Sequence, residues 1–141
     1  MSAICGDLLS PTPSTSLDST DYFDFDLAVV GLGFHHFADP AFAAKRLVER
    51  LKPGTGVLLV IDFTSHAPIP HGGTSPHGGH SFHAAKQTVA HHGFAEEETR
   101  KVFEGAGCID VDMMVLGKGF TMGEGETKVA RSVFLARGRR A

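Results

Sequence analysis

The 141-residue sequence contains no tryptophan, one tyrosine and two cysteines. Cys5 and Cys108 are too few and too far apart for a cysteine-rich metal site, and they fit the reduced thiols of an intracellular chain. No apolar run approaches the length of a membrane span. The N-terminus has neither a basic region nor a long hydrophobic stretch, so no membrane association or secretion is expected and the expected compartment is the cytoplasm. Charge of one sign is also lacking: the net value of -3 gives no electrostatic case for a nucleic-acid partner. Arg137, Arg139 and Arg140, near the C-terminus, read as a solvated tail. No G-x-G-x-G follows a strand, Gly123-Glu124-Gly125 is a lone loop pair, and the dinucleotide fingerprint is absent too, which counts against an NAD-dependent enzyme.

What is present is an ordinary globular composition, 42% hydrophobic and 21% charged, at a length that suits one domain, residues 1–141, with a single core. The chain is organised around 25–64. Residues 26–30 are a near-continuous apolar run leading into Gly31-Leu32-Gly33, as in a buried strand that opens into a loop. Asp39-Pro40 supplies an N-cap and a first-turn proline, and Ala44, Leu47, Val48 and Leu51 then recur at helical spacing. Pro53-Gly54 is the expected stop of that helix. Residues 57–61 are apolar throughout, as a strand covered on both faces must be, and lead to Asp62. Strand, crossover helix and second buried strand make a βαβ unit of a parallel sheet, where ligands bind beyond the carboxyl ends of the strands. The functional candidates are therefore 31–37 and 62–66.

Elsewhere, 2–5 read as the last residues of a strand and 10–20 as a Pro/Ser/Thr-rich exposed loop. Seven of the nine histidines, His66, His71, His77, His80, His83, His91 and His92, lie in a glycine-rich stretch at 65–93, with a short helix expected at 84–90. Histidines so clustered bind zinc, nickel or copper when their geometry is fixed, which a glycine-rich loop does not provide; no metal site is assigned. Glu96, Glu97 and Glu98 open a further helix whose apolar face is Thr99, Val102, Phe103 and Ala106, with Ala95 in place of a capping side chain. Residues 111–115 alternate as a half-exposed strand, 118–128 read as a glycine-rich connection, and 132–136 form a last strand antiparallel to the one before it.

FDLAVVGLGFHHFADP, LKPGTGVLLVIDF, His92-Gly93-Phe94 and RSVFLARG together resemble, in order and spacing, the second half of a class I S-adenosylmethionine-dependent methyltransferase of the quinone-biosynthesis-like or fungal small-molecule type. The resemblance implies an α/β, Rossmann-like sheet with an antiparallel last strand, truncated and lacking the first strands, and a lid at 65–93. It implies S-adenosylmethionine as cofactor, held by Asp7, Leu8, Val30, Gly31 and Leu32, and a small-molecule methyl acceptor facing His35 and His36. Asp7 would accept a hydrogen bond from the adenine amino group, or else it caps the following turn. His36 would be a general base or a hydrogen-bond partner of the substrate, or one of the pair packs under the helix. Asp62 either reaches the pocket or caps a turn. With no first strand beside it, 27–32 would be an apolar sheet edge, and self-association through that edge, as a homo-oligomer, is expected. Two other readings compete: a non-catalytic methyltransferase-like module that binds a protein partner, and a metal-binding protein using His77, His80 and His83.

Overall fold

The structure, a computed structural model, describes residues 5–10, 17–66, 89–117, 120–122 and 128–141. Residues 2–4 of the expected first strand, most of the helix expected at 84–90, and His71, His77, His80 and His83 lie outside the described residues; Val89 and Ala90 are not helical.

The expected βαβ unit is present. Strand β1 (Leu27–Gly31) runs parallel to β2 (Val57–Phe63), with Leu27 opposite Val57 and Gly31 opposite Ile61. Helix α1 (Pro40–Val48) connects them. It begins where the Asp39 carboxylate accepts the Phe42 N–H at 2.9 Å and where Pro40 has no N–H to leave unpaired. It stops at Val48, short of Pro53-Gly54. The reason is a competing backbone partner: Phe25 N–H donates to the Arg50 carbonyl at 3.0 Å, and Lys52 N–H donates to the Phe25 carbonyl at 2.9 Å. This bridge draws the fully buried Leu51 out of the helix and into the core.

Helix α2 (Glu96–Gly105), β3 (Cys108–Val115), β4 (Phe120–Met122), β5 (Val129–Arg131) and β6 (Val133–Arg140) follow. The main sheet has the order β1-β2-β6-β3, with β6 antiparallel to both neighbours. The connection expected at 118–128 instead carries β4, which pairs with β5 as a separate hairpin. Nor are the terminal arginines a solvated tail. They lie within β6, where Arg139 donates to Asp110 at 2.6 Å and to the Gly54 carbonyl at 2.7 Å, and Arg140 donates to the Glu49 and Leu51 carbonyls.

Both helices pack on one face of the sheet, where Ala43, Ala44, Val48 and Phe103 meet Leu58, Val60, Phe134 and Ala136. Close approach is possible because residue 138 is glycine: a Cβ there would lie 2.7 Å from the Phe103 ring and 2.8 Å from the Cys108 Cβ. As expected, Ala95 gives α2 no side-chain cap; the Thr99 hydroxyl donates back to the Ala95 carbonyl at 2.9 Å.

The same packing buries the Cys108 thiol, and desolvation pushes its pKa up from 9.0 to about 11. The unfolded chain therefore loses this proton first, so the stability the group contributes is complete below about pH 9 and is lost as pH rises toward about 11. At pH 8 one cysteine of the native chain, the exposed Cys5, is expected to react with added dithiobis(nitrobenzoate), forming a mixed disulfide and setting one thionitrobenzoate free, and both cysteines only in denaturant. Reaction of both thiols in the native state would contradict this burial.

Candidate functional site

Parallel β1 and β2 end side by side, and the chain leaves β1 through Leu32. This residue has φ +52, a left-handed conformation that costs a non-glycine residue about 1 kcal/mol. Its N–H donates to the Ile61 carbonyl at 2.8 Å, which fixes the turn. One 3-10 turn follows, Phe34–His36. Phe34 is buried against Phe94 and Phe37, with ring centroids at 5.3 and 5.7 Å, so the next residue is held over the end of β2.

That residue is His35, and it meets Asp62. The Asp62 side chain is wholly buried, with one oxygen accepting the His35 backbone N–H at 3.0 Å and the other 2.7 Å from His35 Nδ1. The second oxygen also accepts the Phe63 N–H at 2.7 Å. A carboxylate can only accept, so Nδ1 carries the proton and donates; in the neutral ring the lone pair then lies on Nε2. The residue is 8% exposed. His36 is half-buried, its ring centroid 4.2 Å from that of His35.

A second segment closes over this pair. The His35 carbonyl accepts both the Ala90 and His91 N–H groups, at 3.1 and 3.0 Å. His66 N–H donates to the His92 carbonyl, and the Phe94 and Ser65 N–H groups make a parallel bridge to the end of β2. Gly93 permits this approach: it has φ +78, and a Cβ would lie 2.3 Å from the Thr64 carbonyl oxygen. His35, Phe63, His66 and His92 form a chain of ring contacts between 5.5 and 6.2 Å, and Phe120 of β4 packs on Phe63. His91 Nε2 is buried and has no hydrogen-bond partner among the described residues.

The structure thus gathers Val30, Gly31, Leu32, His35 and His36 at the carboxyl end of β1. Asp7 and Leu8 are engaged within the chain. The exposed Asp7 carboxylate accepts the Leu9 N–H at 2.8 Å, the turn-capping arrangement, and the Leu8 carbonyl accepts from Arg46 of α1 at 3.0 Å. Among the described residues, no three histidines, cysteines or carboxylates are grouped as a metal site would require.

Three solved structures share this arrangement of strands and helices. PigF with S-adenosylhomocysteine superposes with a TM-score of 0.55 at 16% identity, over 96% of this chain and 34% of that one. Phosphoethanolamine N-methyltransferase 2 of Haemonchus contortus, in complex with phosphomonomethylethanolamine and S-adenosylhomocysteine, gives 0.52 at 14% identity, over 82% and 33%. A chain from the complex of the Haloferax volcanii Trm112 methyltransferase activator with a methyltransferase gives 0.52 at 16% identity, over 83% and 56%. The chain has the class I methyltransferase fold. It spans between 33% and 56% of the length of these three methyltransferase-fold chains. Neither a protein-family model nor a curated protein sequence matches it.

Of the residues that organise the methyltransferase-fold strand ends here, the sequence left Asp62 ambiguous and marked His92-Gly93-Phe94 only as a motif; that the 90–94 segment is bound to the His35 carbonyl and to the end of β2 rests on backbone hydrogen bonds that no side chain signals. Replacing Asp62 with alanine leaves the buried His35 N–H without its acceptor, and destabilisation of about 3 kcal/mol is expected in urea titration. A loss under about 1 kcal/mol would show that this end of the sheet is held by other contacts.

Proposed function

We propose that the chain is an S-adenosylmethionine-dependent methyltransferase acting on a small molecule, with His35 and His36 as the catalytic pair. The observation that carries this reading is the Asp62–His35 contact at 2.7 Å, set at the carboxyl ends of two parallel strands in a methyltransferase fold. Asp62 fixes the tautomer and orientation of His35, so that Nε2 is the nitrogen ready to take a proton from a hydroxyl or amine acceptor. His36, more exposed and with its ring tilted against that of His35, is suited to orient that acceptor. The buried, unpartnered His91 Nε2 is a further polar group at this end of the sheet.

For the cofactor, the residues present fit its amino acid end. Alternation along β1 turns the Leu32 N–H toward β2, so the N–H and carbonyl of Gly31 face the open edge. Gly31 also has nothing within 4 Å of where a Cβ would stand. Val30, Gly31 and Leu32 would hold the cofactor there. Asp7 and Leu8 would meet the adenine, since a carboxylate that accepts one backbone N–H retains capacity for another donor. When bound, S-adenosylmethionine supplies an activated methyl group and a neutral leaving group, which leaves positioning, water exclusion and proton removal to the protein.

A second reading, a non-catalytic module that binds a protein partner, is favoured by the engagement of Asp7 with Leu9 and by the open β1 edge. The same edge suits a second copy of the chain as partner.

Calorimetric titration of the folded chain with S-adenosylmethionine separates the two. Saturable binding at one site per chain, weakened when Gly31 is replaced by valine, is expected of the methyltransferase. Absence of binding by a folded chain would contradict it and leave the partner-binding module.

A further inference from the structure

Charge is distributed unevenly along this chain. The net value is -3, yet two segments, 27–38 and 63–95, contain no aspartate or glutamate and hold all nine histidines. The fold brings described parts of both to the carboxyl ends of β1 and β2. His35 and His36 come from the turn after β1, His66 from the chain that leaves β2, and His91 and His92 from the segment that closes over them. The Phe63 ring links two histidine pairs: His35, with His36 at 4.2 Å, lies 5.5 Å from it, and His66, with His92 at 5.9 Å, lies 6.2 Å from it. His36 and His66 are half-buried and His92 is exposed, so these rings reach the surface.

The acidic groups beside this row are already engaged or point to solvent. Asp62 is wholly buried and accepts from His35 and from the Phe63 N–H. At the start of α2, Glu96 pairs with Arg100 at 3.4 Å, Glu97 pairs with Lys101 at 2.7 Å, and Glu98 is exposed. On the hairpin, the residue opposite Phe120 is a buried arginine, Arg131. Histidine is the side chain that changes charge near neutral pH, so acidification loads positive charge onto this end of the sheet. Each added imidazolium repels its neighbour across 4.2 or 5.9 Å unless an anion lies between them.

We propose that this end of the sheet binds an anion, a carboxylate or phosphate group carried by the small-molecule acceptor, with His36, His66 and His92 as its donors. Imidazolium N–H groups make charge-assisted hydrogen bonds to such oxygens, about twice as strong as neutral ones. The anionic group would anchor the acceptor on these rings while its hydroxyl or amine faces His35 Nε2. Calling the ligand the acceptor rests on the methyl-transfer reading; the anion site itself does not.

Benzoate and benzenesulfonate, a planar and a tetrahedral anion whose charges are constant between pH 6 and pH 8, are titrated into the full chain with EDTA present and followed through the histidine ring resonances. Saturable binding of at least one is expected, with benzamide, the neutral counterpart of benzoate, at least about 10-fold weaker. Affinity is expected to be about 10-fold higher at pH 6 than at pH 8. The double variant His66→Gln/His92→Gln is expected to weaken binding at least about 10-fold and to flatten its pH dependence. Should that variant fail to fold, His92→Gln alone, at an exposed position, is expected to weaken it about 3-fold. No saturation by either anion, equal binding of benzamide, affinity independent of pH, or indifference to these substitutions would overturn the proposal. So would displacement of the anion by S-adenosylmethionine, which would assign the site to the cofactor's own carboxylate. Anion binding by a chain that does not bind S-adenosylmethionine would instead sink the methyl-transfer reading and leave the anion site standing.

Discussion

A buried carboxylate holds the working end of this molecule together. Among the described residues, Asp62 is the one fully buried acidic side chain, and three donors reach it: the His35 N–H, His35 Nδ1 and the Phe63 N–H. Burying a charge is costly by several kcal/mol unless hydrogen bonds replace its lost water, and here two of the three come from one residue. That requirement ties the turn after β1 to the end of β2. The His35 carbonyl then receives two N–H groups from 90–91, so three segments distant in sequence meet around one histidine.

The sheet explains why these segments meet at one end. Parallel β1 and β2 finish together, and the crossover helix returns the chain to the opposite end of the sheet. Antiparallel β6 then inserts between β2 and β3, and the β4–β5 hairpin folds Phe120 against Phe63 beside the histidines. One residue thus serves several parts of the fold: Phe63 belongs to the strand, to the packing under the hairpin and to the row of aromatic rings around His35.

The βαβ unit is legible in the sequence because its signals are local: an apolar run, an Asp-Pro start and helical spacing. The antiparallel last strand is legible from a short connection without a helix. Where the sequence misleads, a tertiary partner has won. Helix α1 stops early because Phe25 offers backbone bonds to residues 50 and 52, and Arg139 and Arg140 are drawn into β6 by carbonyls and a carboxylate far along the chain. Asp62 is ambiguous in sequence for the same reason. A carboxylate at a strand end reads as a cap or as a site residue, and the difference lies in His35, 27 positions away. The three-residue strands β4 and β5 are too short for any period to show.

The most direct measurement is hydrogen exchange at the amides of His35, Ala90 and His91 in the native chain and in Asp62→Asn. If the buried carboxylate anchors both the turn and the segment that closes over it, exchange at all three amides rises together by about 100-fold, while amides in the β2–β6 ladder keep their protection. Unchanged exchange at Ala90 and His91, with or without a change at His35, would contradict the claim that this interaction organises the site.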